Sequence, residues 1–328
     1  MHSIKRTLGA TLATAALLTT AACADGGDAG TGAGDGNELE VVVAFYPLQF
    51  TAERVAGDSA TITNLTQPGA DAHGLELTPR QIAALSEADL VIYQSGFQPA
   101  VDDAIAQVAP PRVLDVTTVA TMHSVGADGA HDHGNGAEDH TDEAPDYHAG
   151  EAPGRDGHDH GDTDPHLWLD LDNMAKIADA TAASLSEAHP EDRQAFTANA
   201  ESLKTDYVAL DESFASGLAT CERREIIVYL TERYDLIQVA IRGLDPDLEP
   251  SPARVAEVQQ LAREHGVTTI FYETLVSPAV AEAVAGDLGL TTDVLDPLEG
   301  LTPEAKGSNY LEVMNSNLTA LKAANACS

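Results

Sequence analysis

Apolar residues along the first part of the chain fall into short runs separated by helical spacings. Glu38 to Phe45 (ELEVVVAF) is a continuous β-branched run, the pattern of a parallel strand covered on both faces. Thr78-Pro79 opens a helix through Ala88, with threonine as N-cap and proline in the first turn. A strand from Asp89 to Tyr93, a helix from Gln98 to Val108 and a strand from Arg112 to Val116 follow. Strand and helix alternate at short intervals, which predicts an α/β half with right-handed crossovers. The pattern lapses between Met122 and Asp164. It returns as helix from Leu171 to Ala188 and, past His189-Pro190, as a second helix from Glu191 to Leu218 with no glycine before Gly217, unusually long for a globular protein. Beyond Cys221 the alternation resumes with a strand from Glu225 to Leu230, a helix from Pro252 to His265 and a strand from Thr268 to Tyr272. A helix from Pro278 to Leu288, a strand from Thr292 to Leu295 and a last helix from Asn309 to Ala324 complete it.

This organisation divides the chain into an N-terminal α/β lobe over 38–188, which carries an acidic His-rich loop over 122–164, a bridging helix over 189–218 and a C-terminal α/β lobe over 219–328. A single helix between lobes restricts hinge bending, because it cannot absorb large dihedral changes as loose strands can.

The residues ahead of the first lobe change the picture of compartment. Lys5 and Arg6 precede a small and apolar run from Leu8 to Leu18, too short to span a bilayer but suited to the core of a signal peptide. Residues 1–22 are therefore expected to be a leader. Thr20-Ala21-Ala22-Cys23 resembles a bacterial lipobox, in which the cysteine takes the lipid and begins the mature chain; the alternative is an ordinary cleaved signal with a chance cysteine. Residues 23–37 are Gly, Ala, Asp and Thr with little to bury, as a flexible tether to a membrane anchor would be.

The charge excludes some functions. With 53 acidic against 17 basic residues the formal net charge is −36, and no basic cluster exists to displace counterions from phosphates. Nucleic acid and charge-driven binding to anionic lipid are thereby ruled out. No nucleophile elbow, HExxH or phosphate-cradling loop occurs, so the chain reads as a binding protein rather than an enzyme. With Cys23 taken by lipid, Cys221 and Cys327 remain as an even pair in an oxidising compartment, a candidate disulfide; two buried free thiols are the alternative.

Three segments place a metal-ligand type at a strand end or helix start, where open α/β sheets bind their ligands. Pro68 to His73 precedes the helix at Thr78, Thr163 to Trp168 precedes the helix at Leu171, and Asp296-Pro297-Leu298 follows the strand ending at Leu295. His73 and His166 belong to the first half and Asp296 to the second, which would put a metal between the lobes. Imidazole with carboxylate suits zinc and, less exclusively, manganese. Taken singly each is weak, since an Asp-Pro step is usually a turn.

Five phrases occur in order: Phe45-Tyr46-Pro47-Leu48; Pro68-Gly69 through His73 with Leu75-Glu76-Leu77-Thr78-Pro79; Asp164 to Leu169 (DPHLWL); Glu249-Pro250-Ser251-Pro252; and Leu295-Asp296-Pro297-Leu298. Together they resemble the zinc/manganese solute-binding lipoproteins of bacterial ABC importers, from about Leu39 to Cys327. The resemblance implies two Rossmann-like lobes bridged by a long helix, a metal site in the interlobe cleft, and a monomer held to the membrane by lipid that delivers metal to an ABC permease subunit. It carries the first, second and last ligands onto His73, His166 and Asp296. The family's third ligand, a histidine just after the first strand of the second lobe, has no counterpart, because a short segment is missing between Val228 and Tyr229. Water, a loop histidine such as His158 or His160, or a carboxylate such as Glu232 or Glu273 would have to replace it. The gap also leaves open a buffering or adhesion lipoprotein uncoupled from transport.

The loop histidines His131, His133, His140, His148, His158 and His160, set among carboxylates, suit weak and exchangeable metal sites; the alternative is a solvated acidic loop. His189 and His265, at helix junctions, read as structural.

Overall fold

The computed structural model describes residues 38–123, 163–221, 251–275 and 277–327. The leader and tether with Cys23, the six loop histidines from His131 to His160, the strand expected from Glu225 to Leu230, Glu232 and the Val228–Tyr229 junction lie outside the described residues.

The first lobe is a parallel sheet of β1 (Leu39–Val43), β2 (Ala60–Asn64), β3 (Leu90–Tyr93) and β4 (Val113–Asp115), in the order β2-β1-β3-β4. Val41, Val42 and Val43 are buried because β1 is an inner strand covered on both faces, which is why its sequence does not alternate. Three helices connect the strands: α1 (Tyr46–Ala56), α2 (Pro79–Glu87) and α3 (Pro99–Val108). Thr78 caps α2 in a reciprocal box with Gln81, satisfying two otherwise orphaned donors. By contrast α1 begins at Phe45 without a side-chain cap and carries no acid in its first turn; burial of Leu48, Phe50, Ala52 and Val55 holds it instead.

Helices α4 (Leu171–Ala188) and α5 (Arg193–Leu218) pack along one another, joined by a 3₁₀ turn over Pro190–Asp192. The 26-residue α5 buries Phe196, Ala200, Leu203, Tyr207, Leu210, Phe214 and Leu218, a stripe at three- and four-residue spacing. This stripe meets α1 and α4 of the first lobe and also the last helix, α8 (Tyr310–Ala324). The fold is thus two α/β lobes connected through a long helix.

In the second lobe α6 (Pro252–Glu264) leads to β5 (Thr269–Tyr272), α7 (Ala279–Leu288) and β6 (Thr291–Val294). Strands β5 and β6 pair in parallel with Tyr272 opposite Val294. Ile270, Ala281, Val284 and Ala285 form a small core of their own. The main core runs from β1 and α1 through α4 and α5 to Leu295, Leu298 and α8. Cys221, just past α5, is disulfide-bonded to Cys327, just past α8, across 106 positions of sequence. No helix among the described residues is long and apolar enough to cross a membrane.

Candidate metal centre

His73 lies in the loop between β2 and α2, beyond Gly69, whose positive φ of 78° suits glycine in a tight turn. Its backbone N–H donates to Asp71 Oδ1 at 2.9 Å, fixing the loop just before the ring. His166 precedes a 3₁₀ turn over Leu167–Leu169 that leads into α4. Asp164 holds it twice: Oδ1 accepts the His166 backbone N–H at 2.9 Å and pairs with ring Nδ1 at 2.7 Å. With Nδ1 engaged by Asp164, Nε2 is the ring atom that faces Glu299. Gln94, from the end of β3, donates to the Pro165 carbonyl at 2.6 Å and steadies the same loop. The two rings lie 5.5 Å apart by centroid, and His73 packs edge-on against Phe97.

The carboxylate between them is Glu299. Its Oε1 lies 3.2 Å from His73 Nε2 and 3.4 Å from His166 Nε2, and one ligand atom from each of these three residues lies within 4.8 Å of the others. Asp296, the residue expected from the sequence, is not in this group. Its Oδ1 accepts the Leu298 backbone N–H at 2.8 Å, its Oδ2 accepts the Thr274 hydroxyl at 3.0 Å, and its own N–H donates to Asn317 Oδ1 at 3.0 Å. Asp296 is the turn former. The turn it closes places Leu298 at φ 62°, a left-handed conformation uncommon for leucine. Leu298 is fully buried and anchors the turn, and Glu299 follows it into the cleft. A Cβ at Gly300 would lie 3.7 Å from the Ala70 carbonyl, so the second-lobe loop rests against the His73 loop. The usual meaning of Asp-Pro as a turn was the signal that could have moved the assignment from Asp296 to the next acid, Glu299.

The charges interlock. Burial works against a charged His166, yet hydrogen bonds to Asp164 and Glu299 outweigh it and push the imidazole up to about 10. Burial likewise opposes ionisation of Glu299, but the two imidazoles hold it down at about 2. Glu273, beside the group, is pushed up to about 7 by burial and then by the Glu299 charge. Burial raises Asp296 as well. Two imidazole nitrogens and a buried carboxylate oxygen converging from three loops form a donor set that could hold a borderline divalent ion.

The model of the ZnuA family, described as zinc-uptake complex component A, periplasmic, matches residues 41–324. The chain belongs to this family. Among curated relatives of this ZnuA-family chain, the zinc-binding lipoprotein AdcA of Streptococcus pneumoniae serotype 4 is 33% identical over 293 residues, covering 87% of this chain and 55% of AdcA. The chain thus spans about half the length of the AdcA relatives it matches. The high-affinity zinc uptake system protein ZnuA of Bacillus subtilis is 29% identical over 330 residues, covering 97% of both chains. The crystal structure of the Zn(II)-bound ZnuA-like domain of S. pneumoniae AdcA superposes with a TM-score of 0.68 at 28% identity, covering 88% of this chain and 99% of that one.

Proposed function

We propose that this protein captures Zn2+ outside the cytoplasm, holds it on His73, His166 and Glu299, and delivers it to the permease subunit of an ABC importer. The observation that carries this reading is the convergence of two Nε2 atoms on one buried Glu299 oxygen, at 3.2 Å and 3.4 Å. Membership of the ZnuA family supports transport over the buffering or adhesion alternative. Mn2+ is the less favoured cargo, since two imidazoles suit zinc better than an oxygen-preferring ion. In the same reading the protein is a monomeric binding protein rather than an enzyme, and the membrane is reached through lipid on Cys23. The loop histidines from His131 to His160 recruit metal weakly and pass it to the cleft.

Titration of the full chain with Zn2+ against a competing chelator tests this. One tight equivalent is expected, lost in H73A and H166A, with weaker equivalents that persist in both variants. Tight binding that survives both substitutions would place the site elsewhere.

A further inference from the structure

Three donors leave a tetrahedral zinc ion one short. The nearby carboxylates are mostly committed: Asp71 accepts the His73 N–H, Asp164 pairs with His166 Nδ1, and Asp296 closes its own turn. Glu273 is different. No hydrogen bond or ion pair to its carboxylate occurs among the described residues, while its field partners are Glu299, His166, His73 and Asp296.

Its position follows from the strand. Side chains alternate along β5, and Ile270 and Tyr272 point to the small core of the second lobe while Phe271 packs against the main core between the lobes. Glu273, two residues beyond Phe271 and one past the strand end, continues on the Phe271 side. The neighbouring backbone is tied to the Glu299 loop on both flanks: the Leu295 N–H donates to the Tyr272 carbonyl at 3.0 Å, and the Thr274 hydroxyl donates to Asp296 at 3.0 Å. The carboxylate is thus carried past the end of β5 on a flexible stem of three torsions, outside the group of three ligand atoms but within reach of their charges.

We propose that Glu273 is the fourth ligand, turning onto the metal when it enters between His73, His166 and Glu299. This assignment rests on the zinc-capture reading above. It gives the cleft a set of two imidazoles and two carboxylates, drawn from four separate loops. Such a set needs no third histidine, and its greater oxygen content should narrow the preference for zinc over manganese.

The test uses the full chain, with Zn2+ and Co2+ as probes, in wild type, H73A, E273Q and E273A. Glu273→Gln keeps the shape and removes the charged donor. Its expected effect is a loss of Zn2+ affinity of at least about tenfold, the lower end of what even an outer partner of a ligand costs. The Co2+ d–d bands of E273Q should shift, since the coordination sphere itself changes. Binding within twofold of wild type in both Glu273 variants, or weakened binding with unchanged Co2+ bands, overturns the assignment. If H73A loses the tight equivalent while E273Q keeps it, only Glu273 falls; if H73A also matches wild type, the zinc reading falls with it. Zinc K-edge absorption of the unmodified protein at one equivalent gives an independent readout. Scattering from two imidazoles is expected, and scattering from three overturns the proposal.

Discussion

The indole Nε1–H of Trp168 donates to the carbonyl oxygen of Pro297 at 2.7 Å, and the Tyr310 hydroxyl donates to the carbonyl of Trp168 at 2.6 Å. Trp168 lies two residues after His166, and Pro297 two residues before Glu299. One buried hydrogen bond therefore fixes the spacing of the His166 loop and the Glu299 loop, and α8 braces it from behind. Substituting Trp168→Phe leaves the Pro297 carbonyl unpaired in a buried site and opens a small cavity, at a cost of about 2–4 kcal/mol. Urea unfolding of the metal-free protein checks that figure, and Zn2+ affinity is expected to fall with it by about tenfold.

The same residue is a reporter. Trp168 is the only tryptophan of the chain, and its ring lies 5.2 Å from that of His166. Its emission should change with the first equivalent of Zn2+ and then stay constant while weaker sites fill. The change should be absent in H166A.

Asp164 holds His166 through both its backbone N–H and its ring Nδ1, so in the proposed site it is a positioning residue. Asp164→Asn is expected to lower Zn2+ affinity by about ten- to a hundredfold, because an amide no longer dictates which ring nitrogen carries the proton. A variant that binds as wild type would mean that packing alone sets the ring.

Linkage gives a pH dependence with a definite sign. The raised His166 contributes stability that is complete below its ordinary value of 6.5 and is lost as the pH rises through about 10. Glu273, also raised, contributes fully below 4.5 and loses it as the pH rises through about 7. Glu299, lowered, contributes above 4.5 and loses it as the pH falls through about 2. In the metal-free protein the site is therefore most stabilising near about pH 5 and weakens toward pH 9. In the proposed site zinc displaces the His166 proton, so its affinity is expected to run the other way and rise with pH. Thermal melts from pH 5 to 9 should show a falling metal-free Tm and a zinc-induced shift that grows. A shift independent of pH would contradict the linkage.

Cys221 and Cys327 close a loop of about a hundred residues, which the chain-entropy model values at about 4–5 kcal/mol. Alkylation of the exported protein before reduction should find neither cysteine reactive, and reduction should lower the urea midpoint without abolishing zinc binding.

The alternation of strands and helices was legible because β1, β3 and β5 are short apolar runs bounded by turn residues, and because Thr78 supplies a recognisable cap; the structure adds side-chain caps at Ser251 and Asn309. Helix α1 and strand β2 were not read: α1 lacks a capping side chain, and ATITN at the sheet edge alternates only between partly buried and exposed positions. His73 and His166 stand out in the sequence because each lies in a loop just ahead of a helix, and the structure brings the two rings together. Asp296 and Glu299 carry the same chemistry three residues apart, and only the turn geometry at Leu298 shows which of the two sits beside the imidazoles.

The most direct test is an anomalous-difference map at the zinc edge from crystals loaded with one equivalent of Zn2+. A single strong peak is expected about 2.0–2.2 Å from His73 Nε2, His166 Nε2 and a Glu299 oxygen. A peak bonded to Asp296 instead of Glu299, or no peak among His73, His166 and Glu299, would contradict the account.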